Sequence, residues 1–477
     1  MLQNMKKYIY ILVGLLLAFI ILFNVMNFGS VIANIAQKTD VPTFDYPGSR
    51  IMIVAPHPDD ESIGAAGVIR EALKMHIPVK VVIFTSGESY KRAAINFSKR
   101  LHPTNEDFYR LGVQRQKESI DAMETLGLPR KDLIFLGFAD GSLRFLWDDF
   151  WNTPRRSGGV WVYRSPYKVN VYRPGIEYTG QNVFDAFSSV VNSFKPTDIF
   201  YPDPNDTNPD HWAVSNFVVY TILQQKYHIR EHTYLVHHPQ WPVPWMAVTT
   251  LDENPPVDLK WERWQRFQLS QDEISFKKKA LLQYRTQIEI MQPFLMAFVR
   301  KSELFGYVPR VSIPLIYKLP SLDVLDKTND YIAAKSIDGM FSQEIYKSAD
   351  LGDLRVFRYN DALWVGLTTK APLSNKVVYQ LQMRIFYKDN SIKRLDVGII
   401  KGKLVVYHRA SNSITDWNIV NMRKFKRNMW YEIKLPEEEK IDYIFMGSQA
   451  LYRGRLISRI PWKVYNYNIN DEFGDVI

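Results

Sequence analysis

An apolar run, IMIVAP at 51–56, passes directly into His57-Pro58-Asp59-Asp60-Glu61. A neutral imidazole and a carboxylate are both good zinc ligands, and His57 and Asp60 supply one of each. The adjacent Asp59 must leave the backbone in a different direction, so one carboxylate can bind metal while the other stays free. A second cluster, Tyr201-Pro202-Asp203-Pro204-Asn205-Asp206-Thr207-Asn208-Pro209-Asp210-His211, follows a later apolar run and leads into a helical pattern. Brought together, His57, Asp60 and His211 would be three protein ligands with a fourth position open for water, the pattern of catalytic rather than structural zinc. Zinc lowers the pKa of such a water to about 7, and a nearby carboxylate can take its proton, which is hydrolase chemistry. Short His/Asp clusters also occur as plain capping turns, with acids such as Glu61 stabilised at a helix N-terminus, so both readings stand at this point. The chain has no cysteine. Thiolate nucleophiles, disulfides and Cys-type zinc sites are therefore excluded, and any metal must be held by His, Asp or Glu.

The elements that must position these residues follow an alternating pattern. IMIVAP (51–56), VKVVIFT (79–85), LIFLGF (133–138), DIFYP (198–202) and TYLVHH (233–238) read as buried strands, and amphipathic stretches between them read as helices over 61–75, 105–126, 181–194 and 211–226. The expected fold is α/β, a Rossmann-like, mostly parallel sheet flanked by helices, with both clusters at strand carboxyl ends, where such sheets bind ligands. Residues 142–180 carry Trp, Tyr, Arg, Pro and Gly without a period and are too long for an ordinary connection; they read as a lid or substrate wall, or as packing decoration. A helical pattern over 271–305 closes this domain, and short β-rich runs from about 309 onwards predict a C-terminal all-β, sandwich-like domain. At the other end, Lys6 and Lys7 precede the uncharged run from Tyr8 to Phe23 and beyond, which reads as an N-terminal transmembrane helix with the lysines inside. The division expected is a membrane anchor or signal segment at 1–36, a catalytic domain at 37–308 and a β-rich accessory domain at 309–477. A single-pass protein with its catalytic domain outside the cell membrane follows, with secretion after cleavage as the alternative. The 477 residues exclude a single small module, and 46 % apolar with 23 % charged residues excludes wholesale disorder. A formal charge of +10 comes from dispersed lysines and arginines without a recognised motif, so no nucleic-acid partner is expected.

Further marks stand in register with the first cluster: Thr85-Ser86-Gly87-Glu88, Arg115 and Glu118 with Ala122 and Leu126-Gly127, Leu136-Gly137 with Asp140-Gly141, Pro209-Asp210-His211, and Lys279-Ala280 with Tyr284 and Gln287. On these motifs residues 50–305 resemble the zinc-dependent N-acetylglucosaminyl de-N-acetylase superfamily, the PIG-L/LmbE-like deacetylases. The resemblance implies an N-acyl hydrolase with Zn2+ as cofactor and an N-acetylated glycan or glycoconjugate as partner. It implies His57, Asp60 and His211 as zinc ligands, Asp59 as general base and Arg115 as a substrate-binding pocket residue.

One departure stands out. Many members carry His-Pro-Asp-His where this chain has Asn208-Pro209-Asp210-His211, so the histidine that helps stabilise the oxyanion or protonate the leaving amine is replaced by Asn208. An amide donates a hydrogen bond but delivers no proton at neutral pH. Asp59 could return the proton itself; His237 or His238 is the other candidate, and alternate strand residues face opposite ways, so at most one reaches the site. Asp210 would orient the family histidine. The β-rich domain carries Trp364, Tyr407, Trp417, Trp430 and Tyr431, rings suited either to stacking on sugars or to a sandwich core. The leading expectation is a zinc deacetylase acting on an N-acetylglucosamine-type glycan at the cell surface. The alternatives are an amide hydrolase on a small glycoconjugate or non-sugar substrate, and a weakened, non-catalytic glycan-binding protein.

Overall fold

A computed structural model describes residues 41–43, 49–259, 263–321, 324, 331–336, 343 and 345–467. Its first sheet has seven strands: β1 (Ile51–Ala55), β2 (Val79–Thr85), β3 (Leu133–Phe138), β4 (Asp198–Pro202), β5 (Arg230–Tyr234), β6 (Arg263–Gln268) and β7 (Ser302–Tyr307), in the order β3-β2-β1-β4-β5-β7-β6. The first five in that order run parallel, and β7 and β6 close the edge antiparallel. The near-continuous Val/Ile runs of β1 and β2 follow from this arrangement, because strands covered by helices on both faces have no polar side. The covering helices are α1 (Asp60–Lys74), α2 (Lys91–Ser98), α3 (Asn105–Leu126), α4 (Leu143–Asp148), α5 (Gly180–Phe194), α6 (Pro209–Ile222), α7 (Gln271–Leu281) and α8 (Arg285–Met296). Connections from the central β1 run to β2 on one side, and β4 is its neighbour on the other, so the strand order reverses between β1 and β4. That reversal opens a crevice at the strands' carboxyl ends.

The β-rich region forms two further sheets. One contains Leu351–Tyr359, Ala362–Thr369 and Asn428–Ile433; the other is built around Val377–Tyr387, Ile392–Ile400, Ile441–Tyr452 and Arg455–Asn466. Leu354, Val356, Leu363 and Val365 of the first share a core with Leu381, Met383, Ile385 and Ile444 of the second, which is sandwich packing. The second sheet is buried on its other face too. Phe386, Phe445, Trp462 and Val464 join the core of the α/β region, where Trp147 of α4 meets Phe217, Phe445 and Trp462 edge-on.

Three expectations are corrected. The first concerns the transmembrane helix: among the described residues no helix is long and apolar enough to cross a membrane. The 22-residue α3 has the length, but acids and bases are spread along it. Residues 1–36, where the sequence places the anchor, lie outside the described residues, and the expected single-pass membrane localisation is not supported by any described helix. Second, the strand expected at 233–238 is Arg230–Tyr234; beyond it the amides of Val236 and His237 bond to the Asp206 carboxylate instead of a neighbouring strand. Third, the helical pattern over 271–305 is two helices and a strand, broken at Tyr284, which the site holds by its hydroxyl.

Candidate metal centre

At the end of β1 the chain makes a turn that throws two neighbouring acids apart. Asp59 has φ 121°, a region L-residues avoid at a cost of about 1–3 kcal/mol. The turn is over-determined: the Asp59 N–H donates to Glu61 Oε2 at 3.0 Å, and its carbonyl accepts from the N–H groups of Ser62 and Ile63 at 3.0 and 2.9 Å. Arg115 of α3 completes it, donating to the carbonyls of Pro58 (2.7 Å) and Gly87 (2.6 Å) and lying 3.3 Å from Asp59 Oδ2. Gly87, at φ 63°, has no room for a side chain, since a Cβ would sit 2.0 Å from Arg115 Nη1. Arg115 thus ties two strand-end loops together and touches Asp59. Glu61 accepts from Tyr284 Oη at 2.8 Å and from Ser119 Oγ, so it is a buried bracket rather than a solvated helix-end charge.

Helix α1 is broken at Ala65 (φ −146°, ψ 22°), leaving a short first segment that carries Asp60. The break orphans the Ile63 carbonyl and frees the N–H groups of Gly67 and Val68. One buried ion pair satisfies both ends. Lys277 Nζ donates to Ile63 O at 2.8 Å, and Glu303, 2.8 Å from that ammonium, accepts from Gly67 (2.8 Å) and Val68 (3.2 Å).

The second loop, after β4, meets the first. Asp206 organises it: Oδ1 accepts from the Asn208 N–H at 2.8 Å, while Oδ2 accepts from Val236 and His237 and lies 3.0 Å from His211 Nδ1. Asn208 Oδ1 caps α6 by accepting from the Asp210 N–H at 2.9 Å, with Pro209 in the first turn. Asp210 accepts from the N–H groups of Gly141 (2.7 Å) and Leu143 (3.0 Å), so it anchors the loop ahead of α4 rather than residue 208.

His57, Asp60 and His211 converge, all buried. His57 Nδ1 and His211 Nε2 are each 3.1 Å from Asp60 Oδ2 and 3.3 Å from one another. A tetrahedral cation with ligands about 2.0–2.1 Å away needs donors about 3.3 Å apart, so this triangle fits zinc. Each imidazole also has a carboxylate at its other nitrogen, Asp206 for His211 and Asp140, at 3.2 Å, for His57, the arrangement that orients metal-bound histidines. The acids demand positive charge. Against the opposing effect of burial, Asp140 holds His57 well above its usual range, and Asp206 and Asp60 push His211 up to about 9. Burial pushes Asp59 up to about 8 even with Arg115 beside it.

Of the two other histidines, His237 reaches the site. Its ring meets His211 edge-on at 4.7 Å and stacks on Phe294 at 5.7 Å, and burial pushes its pKa down to about 4, leaving a neutral imidazole. His238 turns away to Asp258 at 3.2 Å. Asp140, Asp206 and Glu61 emerge as site residues only in three dimensions; the Asp140-Gly141 pair within the sequence motifs was the one signal available for the first. In the β-rich region Trp364, Trp430 and Tyr431 are buried, which removes them from any sugar-stacking surface.

Crevice, donor triangle and adjacent free carboxylate define a metal-site α/β domain of the doubly wound class. Residues 52–222 match the family model of GlcNAc-PI de-N-acetylase, PIG-L, and this part of the chain is similar to the PIG-L/LmbE-like deacetylases. Among curated relatives, a probable N-acetyl-alpha-D-glucosaminyl L-malate deacetylase 2 of Bacillus cereus is 28% identical over 174 residues, 36% of this chain and 60% of the relative. Its Bacillus subtilis counterpart is 26% identical over 185 residues, 38% of this chain and 65% of the relative. The chain therefore spans less than two thirds of these relatives. Among solved structures, N,N'-diacetylchitobiose deacetylase from Pyrococcus horikoshii aligns with 17% identity and a TM-score of 0.35, over 55% of this chain and 86% of that one.

Proposed function

We propose that the protein is a zinc-dependent N-deacetylase that releases acetate from an N-acetylglucosamine-type substrate. The observation that carries this reading is the His57–Asp60–His211 donor triangle with Asp59 beside it and free of it. Zinc held by these three residues would polarise the acetamide carbonyl and lower the pKa of a water to about 7. Asp59, aimed away from the triangle by its unusual φ, takes the proton as general base. Once protonated, the same carboxyl would give that proton to the leaving nitrogen. The water oxygen, relieved of that proton, would bond to the acetamide carbon as the C–N bond breaks, giving acetate and a free amine. Asn208 contributes at most its Nδ2 donor, because its Oδ1 caps α6; proton delivery is left to Asp59 or to the His237 imidazole beside His211. Arg115 holds Asp59 in place. The likeness to the Bacillus N-acetyl-alpha-D-glucosaminyl L-malate deacetylases supports a small N-acetylglucosaminyl conjugate as the first substrate to try.

The test is acetate release by the full-length chain from N-acetylglucosaminyl malate and from N-acetylglucosamine oligomers, with zinc and after chelation, beside Asp59→Asn. Zinc-dependent release that falls by about 10²–10⁴-fold in the variant, with zinc still bound, is expected. Release that survives chelation, or that Asp59→Asn leaves unchanged, would refute the mechanism.

A further inference from the structure

We infer that Arg459, carried by the C-terminal sheet, is a positioning residue for the metal centre, holding the turn that presents Asp206 to His211. The inference rests on the reading of His57, Asp60 and His211 as metal ligands. Arg459 lies on the strand Arg455–Asn466, far outside the residues that match the family model. Its Nη2 donates to the carbonyl oxygens of both Pro204 and Asp206, each at 2.6 Å. Its guanidinium also lies over the ring of Trp212, 5.1 Å from the centroid, and Trp212 directly follows His211. One side chain thus touches the backbone of the residue that orients the ligand and the side chain of the residue next to the ligand.

The energetic logic favours a positioning role. A buried guanidinium is expensive unless its donors are met in fixed geometry. Burial pushes Arg459 down to about 9, so it remains charged at neutral pH, supported by Asp206 and Asp203. Fixing the Asp206 carbonyl fixes the plane from which its carboxylate reaches His211 Nδ1. The same β-rich region also grips the end of α4. Arg409 Nη1 donates to Asp148 O at 3.1 Å, Arg394 Nη2 donates to the same oxygen, and Gln382 Nε2 donates to Asp148 Oδ1 at 3.1 Å. These contacts hold α4, whose first residue Leu143 and the preceding Gly141 donate their N–H groups to Asp210. The C-terminal sheet therefore braces both segments that flank the donors.

The experiment measures zinc dissociation constants by chelator competition on the full-length chain, for the wild type, H211A, D206N, R459M, R459Q, R459K and the double variant D206N/R459M. Loss of the carboxylate behind a metal-bound histidine typically weakens metal binding about 10–100-fold. Acting through that carboxylate, R459M and R459Q are expected to weaken zinc about tenfold, R459K least, and the double variant no more than D206N alone. Near-UV circular dichroism of the metal-free forms checks the fold, and R459Q decides if R459M does not fold. Wild-type affinity in R459M and R459Q, or losses that multiply in the double variant, would overturn the positioning role while H211A still abolished binding. A wild type that holds no zinc, or holds it equally in H211A, would overturn the metal reading and this inference with it.

Discussion

The ion pair that spans the break in α1 makes a demanding prediction. Lys277 and Glu303 are almost wholly buried, 0 % and 1 % exposed, and each also caps one side of the break at Ala65. Lys277→Met leaves the Glu303 carboxylate buried without its cation and the Ile63 carbonyl without a donor. Breaking one partner of such a pair costs about 3–5 kcal/mol. Glu303→Gln strands the ammonium and should cost a similar amount. In the double variant neither side chain of the pair is charged, the glutamine oxygen can still accept from Gly67, and the remaining loss is the orphaned carbonyl, about 1–3 kcal/mol. The two single losses should therefore far exceed the double loss, with a coupling of several kcal/mol. Urea unfolding followed by far-UV circular dichroism, compared at constant slope, reads this directly. A loss below about 1 kcal/mol in Lys277→Met, or losses that simply add, would show that the break is not held by this pair.

Two further outcomes follow from buried groups away from the donors. Burial pushes Glu253 from 4.5 up to about 8, with Lys277 and Arg300 pulling the other way. Between those values the folded state keeps a proton that the unfolded state releases, so this group's contribution to stability is present below about pH 4.5 and is lost as pH rises through 8. Glu253→Gln should therefore gain on the wild type in melting temperature between pH 5 and 8; a constant difference would contradict the shift. Trp147 is fully buried among Trp151, Phe217, Phe445 and Trp462, and Trp147→Ala should destabilise the protein by about 3–5 kcal/mol in the same unfolding assay. A loss under about 1 kcal/mol would mean that α4 does not join the two regions energetically.

Much of the site could be read before the fold was known, because its parts are local. The apolar run before His57 announces a parallel strand, and the two clusters converge since β1 and β4 pair directly. What could not be read depends on long-range contacts. Asp203, Asp206 and Asp210 look alike in an acidic loop, and only the approach of His211 Nδ1 and the 236–237 amides distinguishes Asp206. The strand β6, RWQRFQ, lies at a sheet edge and has two apolar residues, Trp264 and Phe267, three positions apart, so it gives neither a continuous apolar run nor a period-2 alternation. Arg384, Arg394 and Gln382 sit at alternate positions that suggest a solvent face; they are buried because α4 covers them. Trp364 and Trp430 could equally have been a surface, and a four-residue cluster with Phe357 and Ala362 buries them.

The Trp147 cluster also bears on how the chain is made. Trp147 leaves the ribosome roughly 300 residues ahead of Trp462, a gap of about 15–60 s at about 5–20 residues per second. Throughout that interval α4 and the outer face of α6 present aromatic surface with no cover, at the very wall that later braces the donor loops. An α/β region able to reach most of its fold early must wait for the strand Arg455–Asn466 before that wall is closed. Cells producing this protein would therefore need to shield a half-finished aromatic face, and truncation near residue 308 would make that transient exposure permanent.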